Sequence, residues 1–254
     1  MLVSSVTFAV FLSYDFGLTN QLLQRKLLEN ETLSAEKQHI LTTQNETLEQ
    51  QVAERTAELA QKNRELVVET ALEWVRSRTM AMQQSAEVLD VANTLYDEVQ
   101  HLGFAYGACT IQIMDEATGD MDHWVASFAH NQYPQSYHVP RFDNPCYAAQ
   151  FKAWRNDETY LVHTLAGEEK KAYDTDMFTR SDYQNFPEQE KQWMMDVESV
   201  VFSLAYMKHG ALHWGPGPLT TEQAPILQRF AQVFEQAYTR FLDLKKAEAQ
   251  AREA

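Results

Sequence analysis

The sequence has little positive charge and little cysteine, and each shortage argues against a class of protein. Its 254 residues carry 21 lysines and arginines against 36 aspartates and glutamates, a formal net charge of −15. Such a chain repels phosphate backbones, and no run of basic residues offsets this, so nucleic acid is not an expected partner. Cys109 and Cys146 are too few for a disulfide framework, which favours a reducing, cytoplasmic setting.

Helix-breaking residues are missing from most of the first hundred positions. Between residues 15 and 102 the chain has one glycine, Gly17, and no proline, and Leu, Glu, Gln, Lys and Ala dominate. These residues lose little free energy on entering a helix. The composition therefore predicts a long helix, which over residues 19–102 would measure on the order of 120 Å at 1.5 Å per residue.

Apolar residues within this helix follow the spacing of a coiled coil. Val52, Leu59 and Leu66 recur every seven residues, and steps of three and four connect the other positions. The predicted seam consists of Leu41, Asn45, Leu48, Val52, Leu59 and Leu66, with Arg55 and Lys62 at further core positions. The polar positions weaken pairing but fix its register. Because one helix has no core against which to bury this stripe, the pattern predicts a parallel homodimer.

The first fourteen residues contain no charged side chain. A complete membrane span needs roughly 20 apolar residues, and a signal peptide needs a basic region before its apolar one. Three interpretations stay open: the tail of a truncated membrane helix, a buried or amphipathic start to the next helix, and a weak signal peptide. The first of these would place the amino terminus at a membrane.

After Gly103 the apolar residues alternate, as is typical of strands. The pattern predicts five strands, at 108–114, 121–128, 158–163, 199–207 and 211–214. The first two and the last two are expected to form hairpins. The fourth is apolar on both faces, which indicates a central strand covered by helices on each side. Residues 129–198 are too many for a plain loop and are expected to hold short helices and a lid or binding segment.

A final helix is predicted after residue 220. Thr220 and Gln223 have the spacing of a capping box, and the apolar face consists of Ile226, Phe230, Val233, Ala237, Phe241 and Leu244. The predicted fold class is α+β. A long coiled-coil helix precedes a mixed, mainly antiparallel sheet, with the terminal helices on one face and the middle segment on the other.

Several segments resemble parts of bacterial sensor histidine kinases, including those that begin with a seven-helix membrane module. ETLEQQVAERTAEL is similar to a signalling helix, and ALEWVRSRTMAMQQSAEVLDVANTLYDEVQHLGF resembles the opening of a GAF-like sensor domain. RFLDLKKAEAQAREA resembles a connector that leads to a following domain. The resemblance covers essentially the whole chain, although GEEKKAYD is its main support within the middle segment.

The resemblance implies four parts: an apolar tail (1–14), a signalling-helix coiled coil (15–70), a GAF-like domain (71–245) and the start of a connector helix (246–254). It implies a non-catalytic sensory or relay module, cytoplasmic or on the cytoplasmic side of the inner membrane, that acts on a downstream output domain such as a histidine kinase. None of the eight histidines is followed by an acidic residue, as a phospho-acceptor histidine usually is, and no glycine-rich ATP lid is present. The catalytic core of a kinase is therefore not expected in this chain.

Two other functions stay open beside the sensory one. GAF-fold enzymes of the methionine sulfoxide reductase type use thiols, although Cys109 lies on the apolar face of its strand and is expected to be a small core residue. A purely structural coiled-coil adaptor is the third interpretation. No metal or cofactor is expected, because His123, His130, His138 and His163 lack the spacing of a ligand set.

Aromatic residues concentrate in and beside the middle segment. They either fill the core or line a cavity for an unknown small molecule, with a few polar groups to orient it. The candidate ligand-binding residues are His130, Phe142, Cys146, Trp154, Tyr160, Tyr173, His209 and Trp214. No residue is assigned a catalytic role.

Overall fold

A computed structural model describes the backbone of residues 2–104, 108–127 and 135–253, and the side chains of 13–104, 108–125 and 136–253. Its helices are α1 (Leu2–Ala81), α2 (Val88–His101), α3 (Pro145–Arg155), α4 (Gly167–Arg180), α5 (Glu188–Asp196) and α6 (Gln223–Glu253), with 3₁₀ turns at Ser85–Glu87 and Asp182–Asn185. Its strands are β1 (Ala108–Met114), β2 (Met121–Ser127), β3 (Gln135–Val139), β4 (Tyr160–Ala166), β5 (Ser199–Met207) and β6 (Gly210–Gly215). The predicted α+β class is confirmed.

The chain divides into two units, residues 1–64 and 65–254. The first unit is helical, and every side chain from Ser13 to Arg64 is exposed, including the predicted seam from Leu41 to Leu59. Among the described residues, no helix is long and apolar enough to cross a bilayer. The side chains of the apolar tail up to residue 12 lie outside the described part, so its three interpretations stay open.

The second unit is built on one antiparallel sheet of six strands, in the order β3-β2-β1-β6-β5-β4. Both predicted hairpins are present, since β1 pairs with β2 and β5 pairs with β6. β1 also pairs with β6, which joins the hairpins in the centre of the sheet. The two central strands therefore come from opposite ends of the unit's sequence.

Two strands differ from the prediction. β3 was not predicted, because QSYHV is short and largely polar and gives too few alternations to be distinguished from a loop. The strand predicted at 158–163 lies at 160–166 instead, where buried Leu165 is paired with Val200 of β5. In both cases the pairing partner, rather than the local sequence, sets the limits of the strand.

The sheet separates two apolar cores. One lies under the end of α1, α2 and α6, and the other under α3, α4 and the second 3₁₀ turn. β5 contributes to both, with Ala205 in the first core and Leu204 in the second. The predicted central strand covered on each side is thus confirmed. The capping box of α6 is also present, with reciprocal bonds of 3.1 Å between Thr220 and Gln223.

The prediction of one helix through residue 102 is wrong, because α1 ends at Ala81 and α2 begins at Val88. No glycine or proline marks this break. Instead, Arg240 of α6 donates two hydrogen bonds, of 3.0 and 2.8 Å, to the carbonyl oxygen of Met82. Glu248 of α6 accepts from the backbone N–H and hydroxyl of Ser85 at 2.8 and 2.7 Å. These contacts satisfy polar groups that a helix end leaves free, so tertiary structure stabilises the break.

The break also changes which residues of α2 face the core. Apolar spacing in steps of seven, continued from α1 without a break, predicts that Leu89 is buried, but Leu89 is 44% exposed. Val88 and Val91 are buried in its place. Leu95 and Val99, which continue the same spacing in steps of three and four, are fully buried, so the break alters only the first turn of α2.

A buried ion pair connects α4 to α5 and gives a test of this packing. Lys170 is 2% exposed, and its Nζ lies 2.5 Å from both an Asp174 carboxylate oxygen and the Met194 carbonyl oxygen. Lys170→Ala should lower the free energy of unfolding by about 3–5 kcal/mol, because it leaves the buried Asp174 carboxylate without its partner. Urea unfolding measures this loss.

The matched control is Lys171→Ala, one residue away, where an exposed lysine lies 3.0 Å from Glu168, which is also exposed. Exposed ion pairs contribute little, so this variant should unfold close to the wild type. The double substitution Lys170→Met with Asp174→Leu should recover most of the loss. A Lys170→Ala variant no less stable than Lys171→Ala would show that the pair does not anchor α5.

Candidate functional site

Buried polar side chains lie on the face of the sheet that α3 and α4 cover. Gln112 of β1 is directly opposite His123 of β2, and Thr110 of β1 is opposite His213 of β6. Alternation along each strand places all of these side chains on the same face. Since Gln112 and His123 are almost fully buried, three neighbouring central strands present polar groups to the second core.

The covering elements add polar groups to this region. Gln150 of α3 is buried, and its amide nitrogen lies 3.3 Å from the Cys146 sulfur. The Tyr183 hydroxyl, in the second 3₁₀ turn, lies 2.9 Å from Nδ1 of His123. Tyr173 of α4 lies beside both Gln150 and Tyr183. We call Gln112, His123, Gln150 and His213 the polar layer.

Each residue of the polar layer has one buried atom that no described residue engages in a hydrogen bond. These atoms are Oε1 of Gln112, Nε2 of His123, Oε1 of Gln150 and Nε2 of His213. A buried polar atom without a partner costs about 1–3 kcal/mol, so native proteins rarely collect several in one place without water or a ligand to satisfy them. The polar layer is therefore a candidate binding site.

Burial keeps these groups uncharged at neutral pH. It lowers the pKa of His123 to about 3, with a smaller contribution from nearby His213, and the pKa of His213 to about 4. Burial also raises the pKa of Cys146 to about 12 and that of Cys109 well above its usual value. The imidazoles can donate or accept hydrogen bonds, and both thiols stay protonated, which disfavours thiolate chemistry.

The structure divides the predicted ligand-binding residues between the two faces of the sheet. Phe142, Cys146 and Tyr173 are buried in the second core, and Trp154 packs against it. Trp214 belongs to the first core, where it meets Phe104 at 5.3 Å between ring centres. These residues cannot all line one cavity, because the sheet lies between the groups.

Two further candidates lie away from the polar layer. Tyr160 packs against the first core, and the ring of His209 faces Tyr238 of α6 at 5.3 Å between ring centres. His130 lies outside the described residues. Binding by any member of the predicted set stays a prediction, with Phe142, Cys146 and Tyr173 in the same core as the polar layer.

The three described histidines that were considered for a metal site do not gather around one point, and the fourth, His130, lies outside the described residues. His123 lies in the polar layer, and Nδ1 of His138 lies 2.9 Å from Asp122 near the sheet edge. His163 lies on β4, with Nε2 3.8 Å from Glu169. In the described part of the chain, no three histidine, cysteine or acidic residues have positions that could hold a metal ion.

Sequence reasoning missed the polar layer because it followed aromatic residues. A signal was present: with Cys109, Ile111 and Ile113 on one face of β1, Thr110 and Gln112 must lie on the other. Polar residues on the second face of a strand covered on both sides are buried, and buried polar groups need partners.

Models of protein families and curated proteins were compared with this chain, and none of them matches it. The resemblance to GAF-like sensor domains therefore stays a prediction from the sequence. The functional inference for this chain depends on its own residues and their geometry.

Proposed function

We propose that this chain is a non-catalytic, GAF-like sensory and relay module of a bacterial signal-transduction protein. The observation that carries the proposal is the polar layer, in which four buried polar atoms lack hydrogen-bond partners among the described residues. A small molecule bound there would satisfy these atoms and favour one conformation of the domain. Sensing of this kind needs a coupling free energy of only about 1–3 kcal/mol.

The chemistry of the polar layer indicates the kind of ligand. Gln112 and Gln150 offer amide oxygens, which accept hydrogen bonds, and the two imidazoles are neutral. A charged ligand would be buried without a counter-charge from these four residues, at a large desolvation cost. The expected ligand is therefore small, uncharged and rich in N–H or O–H donors.

β2 provides a route from the polar layer to the terminal helices. Trp124 follows His123 and, by strand alternation, lies on the opposite face of the sheet. Its ring packs edge-on against Phe234, Tyr238 and Phe241 of α6, at 6.0–6.5 Å between ring centres. Its carbonyl oxygen accepts a hydrogen bond of 2.5 Å from Tyr96 of α2. A shift of β2 on ligand binding would therefore reach both helices directly.

Within the second unit, the end of α1 and the last helix, α6, are also joined to each other. Arg240 and Glu248 of α6 bind the chain between α1 and α2, and Arg229 of α6 forms an ion pair with Glu69 of α1. A displacement of α6 would therefore alter these contacts at the end of α1. This supports relay to a downstream output domain, such as a histidine kinase.

The partner proposed for the first unit is a second copy of the chain, bound through parallel helices. The seam residues in the described structure are exposed, from 51% for Leu41 to 66% for Leu59. Pairing would remove these apolar side chains from water, which is the driving force for coiled-coil formation. Neither nucleic acid nor a resident cofactor forms part of the proposal.

Gln112→Leu tests the polar layer in two ways. Without ligand, the variant should be as stable as the wild type or more stable, because leucine is similar in size and removes a buried amide oxygen that has no hydrogen-bond partner among the described residues. With ligand, it should lose the response. A thermal-shift screen of the intact chain against uncharged polar metabolites should find a compound that raises the wild-type Tm saturably and has a much weaker effect on the variant.

Gln100→Leu, an exposed position on α2, is the matched control and should keep the full ligand response. Lower stability of Gln112→Leu in the absence of ligand would show that the amide is already satisfied. A stabilising compound with equal effect on both variants would place its site elsewhere.

Leu48→Asp combined with Leu59→Asp tests the seam. Two charges in a dimer core should shift the intact chain from dimer to monomer at micromolar concentration, as measured by sedimentation equilibrium. Ala57→Asp introduces a charge on the outer face of the same helix and should leave the dimer intact. A monomeric wild type, or equal dissociation of both variants, would rule out the proposed seam.

A further inference from the structure

A groove of about 580 Å³ runs along the outer side of α3, away from the polar layer. Three cationic side chains line it, those of Arg141, Lys152 and Arg155, together with one carboxylate, Asp143. Small-molecule sites usually measure about 300–1,000 Å³, so the groove has the size of such a site. A local excess of positive charge is unexpected in a chain with a net charge of −15.

The three cations are exposed, and among the described residues none of them forms an ion pair with an acidic side chain. Elsewhere in the compact unit, Arg78 pairs with Asp90 and Arg180 pairs with Asp176. Lys152 and Arg155 also lie in the last turn of α3, where positive charge stabilises the helix dipole. That role does not account for Arg141, which precedes the helix.

Contacts with neighbouring residues favour the positions of two of the cations. The Arg155 guanidinium lies 5.5 Å from the centre of the Phe151 ring. The Arg141 stem packs on Gly119, where a Cβ would lie 2.9 Å from Cδ of the arginine and where φ is +80°. The positive φ favours glycine at this turn, and the absence of a Cβ leaves room for the Arg141 stem. Side chains that are already ordered lose less entropy when a ligand binds.

We propose that this groove binds a small organic anion that carries two or more negative charges on phosphate or carboxylate groups. Arginine guanidinium groups donate paired hydrogen bonds to these groups, and the Asn156 amide lines the same groove. The site does not depend on the sensory proposal. If both proposals hold, the bound anion would contact the outer side of α3, while the inner side of the same helix carries Cys146 and Gln150.

Isothermal titration of the intact chain with pyrophosphate, citrate and ATP tests this site and separates phosphate from carboxylate recognition. At least one of these anions should bind saturably, and more tightly at low ionic strength. Arg141→Gln and Arg155→Gln should each weaken binding about tenfold, the usual effect of losing a charge-assisted hydrogen bond. Arg155→Lys should weaken binding less, because lysine keeps the positive charge and loses only the paired hydrogen bonds of the guanidinium.

Lys171→Gln, an exposed lysine of α4 that does not line the groove, is the matched control and should bind like the wild type. Thermal unfolding of each variant confirms that it is folded. Gln112→Leu should leave anion binding unchanged, so failure of the sensory proposal would not be mistaken for failure of this one. No saturable binding in the millimolar range, or an equal loss in Lys171→Gln, would overturn the proposal.

Discussion

Burial of the central strands on both faces is the constraint on which the rest of the structure depends. β1, β2, β5 and β6 lie between two layers of helices, so consecutive residues of one strand belong to different cores. His123 lies among polar groups under α3 and α4, while Trp124 packs against α6. The peptide unit between them therefore belongs to both layers, and neither layer can shift along β2 without affecting the other.

The polar layer lowers the stability of the fold unless a bound molecule satisfies it. Its four unpaired atoms cost free energy that a small domain, stable by only about 5–15 kcal/mol, could recover by substituting apolar residues. Sites that break the local rules of folding are often functional ones. Burial also fixes the chemistry, because it keeps the imidazoles neutral and the Cys146 thiol protonated. Such a site suits recognition better than nucleophilic catalysis.

Much of the fold could be predicted because its signals are local. β1 and β5 were predicted at their observed limits, and the Thr220 capping box was recognised from two residues. Elements that depend on distant partners were missed or misplaced. β3 needs β2 for its definition, and the break after Ala81 is held by Arg240 and Glu248, more than 150 residues further along the chain.

The candidate sites were harder to predict for the same reason. Gln112 and His123 lie on the two strands of one predicted hairpin, but Gln150 and His213 join them only when the whole sheet and α3 are assembled. The cations of the groove, Arg141, Lys152 and Arg155, never form a basic run, so the sequence indicated no basic patch. Aromatic residues were visible but not decisive, since they occur in both cores.

Hydrogen exchange tests most directly whether β2 couples the two layers. The Ser85 amide donates a hydrogen bond to Glu248 of α6, on the opposite side of the sheet from His123. Its exchange rate therefore measures how stably α6 binds the segment between α1 and α2. His123→Phe should change the amide exchange rates at Ser85 and along α6 about tenfold or more, which corresponds to a shift of about 1.4 kcal/mol in the free energy of local opening. Changes confined to α3, α4 and the inner face of the sheet would contradict the account.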